Sequence, residues 1–119
     1  MAAVEKLIDR AFALRGAAHA AHWKATGEGS YARHVALGEF YDGLIDALDK
    51  YVEAHQGTFG LVGKLKDDVE DITAQIRAEM VWIAEHRSEV ARGVPALENI
   101  LDELTALHMS TLYKLENLR

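Results

Sequence analysis

Apolar residues recur along this chain at steps of three and four, and the pattern breaks at three places. Val4, Leu7, Ile8, Ala11, Leu14 and Ala18 make one stripe, and Leu37, Tyr41, Leu44, Ile45, Leu48 and Val52 a second. Val69, Ile72, Ile76, Met80 and Ile83 make a third, and Leu97, Leu101, Leu104, His108, Leu112 and Leu115 a fourth with near-heptad spacing. Four helices are therefore predicted. The first runs from about Ala2 to Ala25 and is ended by Gly27 and Gly29. The second starts at Ser30, an N-cap by residue type, and runs to about Gln56, before Gly57, Gly60 and Gly63. The third begins near Asp67 and Asp68, whose charges suit a helix N-terminus, and stops near Gly93. Pro95 opens the fourth as a first-turn residue. Short links between first and second and between third and fourth helices make those pairs antiparallel neighbours. The expected architecture is an all-α four-helix bundle forming one domain over residues 1–119.

Composition narrows the chemistry. With 119 residues, 50% of them apolar, the chain can bury one core. It has no cysteine, so any metal must be held by histidine and carboxylate. Glu5, Lys6, Asp9, Arg10 and Arg15 interrupt the first stripe, which is the pattern of neither a signal peptide nor a membrane span, and a cytoplasmic location is expected. Thirteen basic against 19 acidic residues give a formal charge of -6, which argues against direct DNA binding and suits a site that attracts cations. No Gly-rich phosphate loop, nucleophile elbow or zinc-protease motif is present, so hydrolase and nucleotide-binding readings have no residues to stand on.

The informative stretch is AHWKATGEGSYARHVALGEFYDGLIDALDKYVEAHQG, residues 21–57. His22 lies about one turn before the glycine link and His34 about one turn after it, so an antiparallel hairpin brings the two imidazoles to one level. Asp49 and Glu53, at i and i+4, share a helix face but lie roughly 22–28 Å along the helix from His34. One subunit cannot close that gap. Two copies with their second helices antiparallel about a twofold axis would set the carboxylates of one opposite the histidines of the other. Histidine and carboxylate without sulfur is a ligand mix for iron cycling from Fe(II) to Fe(III), and zinc or manganese would accept it too. Trp23, Tyr31 and Tyr41 add oxidisable aromatics, against which stands ordinary packing. The competing reading of the histidines is as hydrogen-bonded packing residues, and that of Asp49 and Glu53 is ion pairing with Lys6 and Arg10 across the hairpin. His19 reads as a packing residue one turn before His22, and His55 points elsewhere. Glu79, Glu85, His86 and His108 do not form the Glu-x-x-His pair of a di-iron bundle.

On His22, Trp23, Gly27, His34, Asp49 and Glu53, the stretch resembles the Dps-type mini-ferritins, over about residues 14 to 56. Their signature is a His-Trp pair, a glycine turn, a second histidine and Asp-x-x-x-Glu. The resemblance implies a ferritin-like bundle that forms a homo-oligomeric cage. It further implies Fe(II) oxidation to Fe(III) between twofold-related subunits, by peroxide in preference to dioxygen, with ferric mineral stored inside. His22, His34, Asp49 and Glu53 would be its catalytic and metal-binding residues. Three departures stand out. Gly38 occupies the position of another acidic ligand, with Glu39 beside it on a different face. The link of about Gly57 to Lys66 is short for the family's crossover: roughly ten residues reach about 33–36 Å, barely the length of a 25-residue helix. A tight crossover is expected, and a link that does not cross would give up-down-up-down topology. No lysine-rich tail is present, so DNA binding is not carried over. The alternative is a non-enzymatic ferritin-like assembly protein with a structural or vestigial metal site, and a third reading is a nucleoid-binding protein.

Overall fold

The computed structural model describes residues 2–118, which hold four α-helices and no strand: α1 (Ala3–Trp23), α2 (Ser30–Phe59), α3 (Ile72–Ala91) and α4 (Pro95–Asn117). The all-α class expected from the periodicity is what the chain adopts. The helices form two hairpins, α1 against α2 and α3 against α4, and these define two compact units that divide between Asp68 and Val69. Among the described residues no helix is long and apolar enough to cross a membrane.

In the first unit Ile8, Ala11 and Leu48 form the buried centre, with Val4, Phe12, Leu44, Ile45 and Val52 packed around it. The stripes of both helices thus face each other, although Leu7 and Leu14 remain about half exposed. Gly27 and Gly29 take positive φ, and Gly29 rather than Ser30 is the N-cap residue of α2, with Ser30 inside the first turn. Helix α2 also continues past Gln56 and through Gly57, ending where Gly60 turns to positive φ and donates its N–H to the Gln56 carbonyl.

Residues 61–66 then run back along α1 without helical hydrogen bonds of their own. Val62 and Leu65 close over the Ile8 cluster. Side chains of α1 and α2 take up the backbone donors this leaves: Gln56 Oε1 accepts from Val62 N (3.1 Å), Glu5 Oε2 from Gly63 N (2.7 Å) and Asp9 Oδ1 from Lys66 N (3.0 Å). Glu5 and Asp9 are only 7% and 8% exposed, an environment carboxylates enter when hydrogen-bonded. Asp68, expected at a helix start, instead accepts from Leu65 N (2.8 Å) and closes a turn of the link. The cap of α3 is Asp71, whose Oδ1 accepts from Ala74 N at 3.1 Å, so Val69 lies outside the helix.

In the second unit Ile83, Ala91 and Leu112 are buried, with Ile76, Met80, Leu101 and His108 partly so. Arg92 (φ 53°) and Gly93 (φ 73°) end α3 in left-handed conformation, and Pro95 begins α4 as expected. Arg87 ties the hairpin by a two-pronged contact to Asp102, with both bonds 2.8 Å, and a third bond to Glu98 Oε2 at 3.2 Å. Arg77 and Glu116 pair toward the other end. The Arg87 hydrogen bond holds the Asp102 carboxyl below its ordinary value, with desolvation opposing it and the Arg87 charge adding to it. A lowered carboxyl stabilises the fold above its unfolded-state value and loses that contribution as pH falls through the folded-state value. Arg87→Ala should therefore melt lower than wild type at neutral pH, with the gap narrowing on acidification. The effect is small because the pair is exposed. A gap that does not change with pH would show that Arg87 acts through packing alone.

Candidate functional site

Helix α1 ends one residue after His22, and α2 begins four before His34, so the tight link sets the two side chains opposite each other at one end of the hairpin. Their imidazoles stack with centroids 3.6 Å apart and planes 20° from parallel. Each ring also bonds to the other's backbone: His22 Nδ1 donates to the His34 carbonyl (2.6 Å), and His34 Nδ1 donates to the His22 carbonyl (3.0 Å). A carbonyl oxygen can only accept, so both Nδ1 atoms carry the proton, and in the neutral rings both Nε2 atoms keep their lone pairs. A metal-binding histidine commonly has this arrangement, one nitrogen tied to a carbonyl and the other free. Stacking adds a restriction. A metal lies in the plane of the imidazole that binds it, at about 2.0–2.1 Å, so a single ion can take both nitrogens only if the near-parallel planes splay apart. As stacked, the pair offers two separate donors.

An aromatic chain leads away from the pair. Tyr41 meets His22 edge-on (5.4 Å, 79°) and stacks on His19 (3.9 Å, 17°), which in turn lies against Trp23 (4.3 Å, 40°). Arg15 fixes this region by donating to the Tyr41 carbonyl at 3.3 Å. His19, read from sequence as a packing residue, packs between Tyr41 and Trp23. Trp23 is 71% exposed and Tyr31 80%, so neither belongs to a core.

Asp49 and Glu53 are both exposed on α2, far along the same helix from His34 as their spacing requires. Among the described residues no group of three or more His, Cys, Asp or Glu comes together to hold a metal, so one chain alone does not unite the four candidates. The ion pairs considered for the carboxylates are not formed either. Lys6 and Arg10 line a cleft with Lys66 beside Asp9, and among the described residues no ion pair reaches Asp49 or Glu53. These two belong to a longer series: Glu39, Asp42, Asp46, Asp49 and Glu53 are all exposed and, at 3.6 residues per turn, fall within about 80° of one another around the helix.

Sequence reasoning missed Glu5 and Asp9 as buried residues. Their i, i+4 spacing beside Ile8 was the available signal, but acceptors for a distant backbone segment leave no local pattern. His86 stacks on Trp82 (4.2 Å, 17°), and His86 and His108 each bond a carbonyl one turn earlier in their own helices. These are the contacts of packed histidines.

No curated protein and no solved structure matches the chain. Residues 22–115 do match a family profile, and the matched span takes in His22, His34, Asp49 and Glu53. The chain accordingly belongs to DUF5856, a family of unknown function.

Proposed function

We propose that this protein is a Dps-like ferroxidase that takes Fe(II) as substrate at a site between two subunits and oxidises it to Fe(III), with peroxide or dioxygen as oxidant. His22 and His34 of one subunit and Asp49 and Glu53 of a twofold-related copy would hold the iron. Iron storage and protection from peroxide follow from assembly into a closed homo-oligomer, in the cytoplasm. The observation that carries this reading is the reciprocal lock of the two histidines, which ties both Nδ1 atoms and leaves both Nε2 atoms as donors. The acidic face of α2 supports it too. Two such faces packed together repel, and cations between them relieve the repulsion.

A second reading rests on the same lock. Stacked and doubly bonded, the pair is also a staple for the end of the hairpin, as a non-enzymatic helical assembly protein would need. His34→Ala separates the two. Anaerobic loading with Fe(II), followed by peroxide or air, should give rapid ferric absorbance in wild type. The variant should show only background oxidation while keeping its helical circular dichroism. Equal rates in both, with a lower melting temperature for the variant, would leave the staple reading.

A further inference from the structure

We propose that Gly38 is a positioning residue of the histidine pair: its bare Cα is the surface on which the His22 imidazole rests. The pair keeps its arrangement only while that position has no side chain. The inference rests on the proposed function solely for the importance of the pair to metal.

Gly38 lies inside α2 with ordinary helical backbone, so no turn or positive φ asks for glycine there. Glycine in a helix interior is less favourable than alanine and needs another reason. Of the three glycines within α2, Gly43 and Gly57 face open space, and only Gly38 has close neighbours. A Cβ added there would lie 3.2 Å from His22 Cε1 and 3.4 Å from His22 Nδ1. Carbon atoms settle at about 3.5–4.0 Å, so one partner must move. The ring has little room to do so. Its Nδ1 is bonded at 2.6 Å to the His34 carbonyl, the His34 ring is stacked on it at 3.6 Å, and Tyr41 stands edge-on to it. A Cβ at residue 38 asks the ring to give by a few tenths of an ångström against these restraints, which puts the strain on its bond to the His34 carbonyl, and a longer side chain asks for more. A longer side chain at residue 38, a carboxylate included, would compete with the His22 ring for one space.

The test compares Gly38→Ala with Gly43→Ala in the full chain. Both exchange glycine for the better helix former, so without a special role each should raise the melting temperature by a few degrees. Gly43→Ala is expected to do so, and Gly38→Ala to lower it. In two-bond proton–nitrogen spectra at alkaline pH, wild type and Gly43→Ala should show both rings in the Nδ1-protonated form, and Gly38→Ala should lose that signature for His22. Co(II) affinity, read from its visible bands, should fall about tenfold or more in Gly38→Ala and hold in Gly43→Ala. A Gly38→Ala protein that melts higher than wild type with its tautomers unchanged overturns the inference. Absence of Co(II) binding in wild type overturns the ferroxidase reading instead, and the melting and tautomer results still decide the role of Gly38.

Discussion

Mixing two inactive variants is expected to restore iron oxidation to about a quarter of the wild-type extent. His34→Ala removes a nitrogen donor, and the double variant Asp49→Ala, Glu53→Ala removes both carboxylates, so each alone should fall to background. In a twofold dimer each site takes histidines from one subunit and carboxylates from the other. A hybrid of the two variants has one site with both halves damaged and one with both halves whole. Equal mixing makes about half the dimers hybrid, each with one working site of two. The measurement is ferric absorbance after unfolding and refolding the two variants together, beside each refolded alone. No recovery in refolded hybrids would overturn the sharing of the site between subunits, and activity in either variant alone would remove the corresponding residues from the site. Single-chain chemistry predicts no recovery, so the mixture tests the subunit boundary directly.

Ile8→Ala should cost about 2–5 kcal/mol of stability, a large share of the 5–15 kcal/mol typical of a domain. Ile8 is 2% exposed and sits between Ala11, Leu48 and the link residues Val62 and Leu65, so its truncation opens a cavity touching three segments. Ile8→Val removes one methylene and should cost about 0.5–1.5 kcal/mol. Leu7→Ala, one position away at a residue 46% exposed, supplies the comparison and should cost much less than Ile8→Ala. Urea unfolding followed by circular dichroism ranks the three. Equal losses at residues 7 and 8 would mean that the hairpin is not packed through Ile8.

The helices were readable because a 3.6-residue period is a local property. Each apolar stripe contributes buried or half-buried residues to its hairpin, and Pro95 sits where its fixed φ belongs. Boundaries were less readable where one residue type can do two jobs. Asp68 and Asp71 are equally good caps by composition. Only the turn at Leu65, which engages Asp68, leaves Asp71 to start α3. Gly57 looked like a terminator, yet the α2 ladder runs through it because a helix tolerates one glycine when its neighbours hold. The level of His22 with His34 followed from loop length alone. Their stacking, their hydrogen bonds and the contact of His22 with Gly38 depend on ring orientation, which spacing does not encode. Glu5 and Asp9 were invisible for a related reason: their partners are 58 and 57 residues away.

That separation bears on the order in which the first unit assembles. Pinning Gly63 to Glu5 and Lys66 to Asp9 in an unfolded chain would close loops of nearly sixty residues, an entropic obstacle that grows with length. Once α1 and α2 have zipped together across their short turn, α2 is a rigid rod that reaches past the start of α1 to Phe59, and Gly63, four residues further on, has only to turn back to Glu5. The hairpin thus shortens the search from a domain-sized loop to a few peptide units. The strap can settle late and quickly, completing the cover over Ile8 without having to nucleate anything.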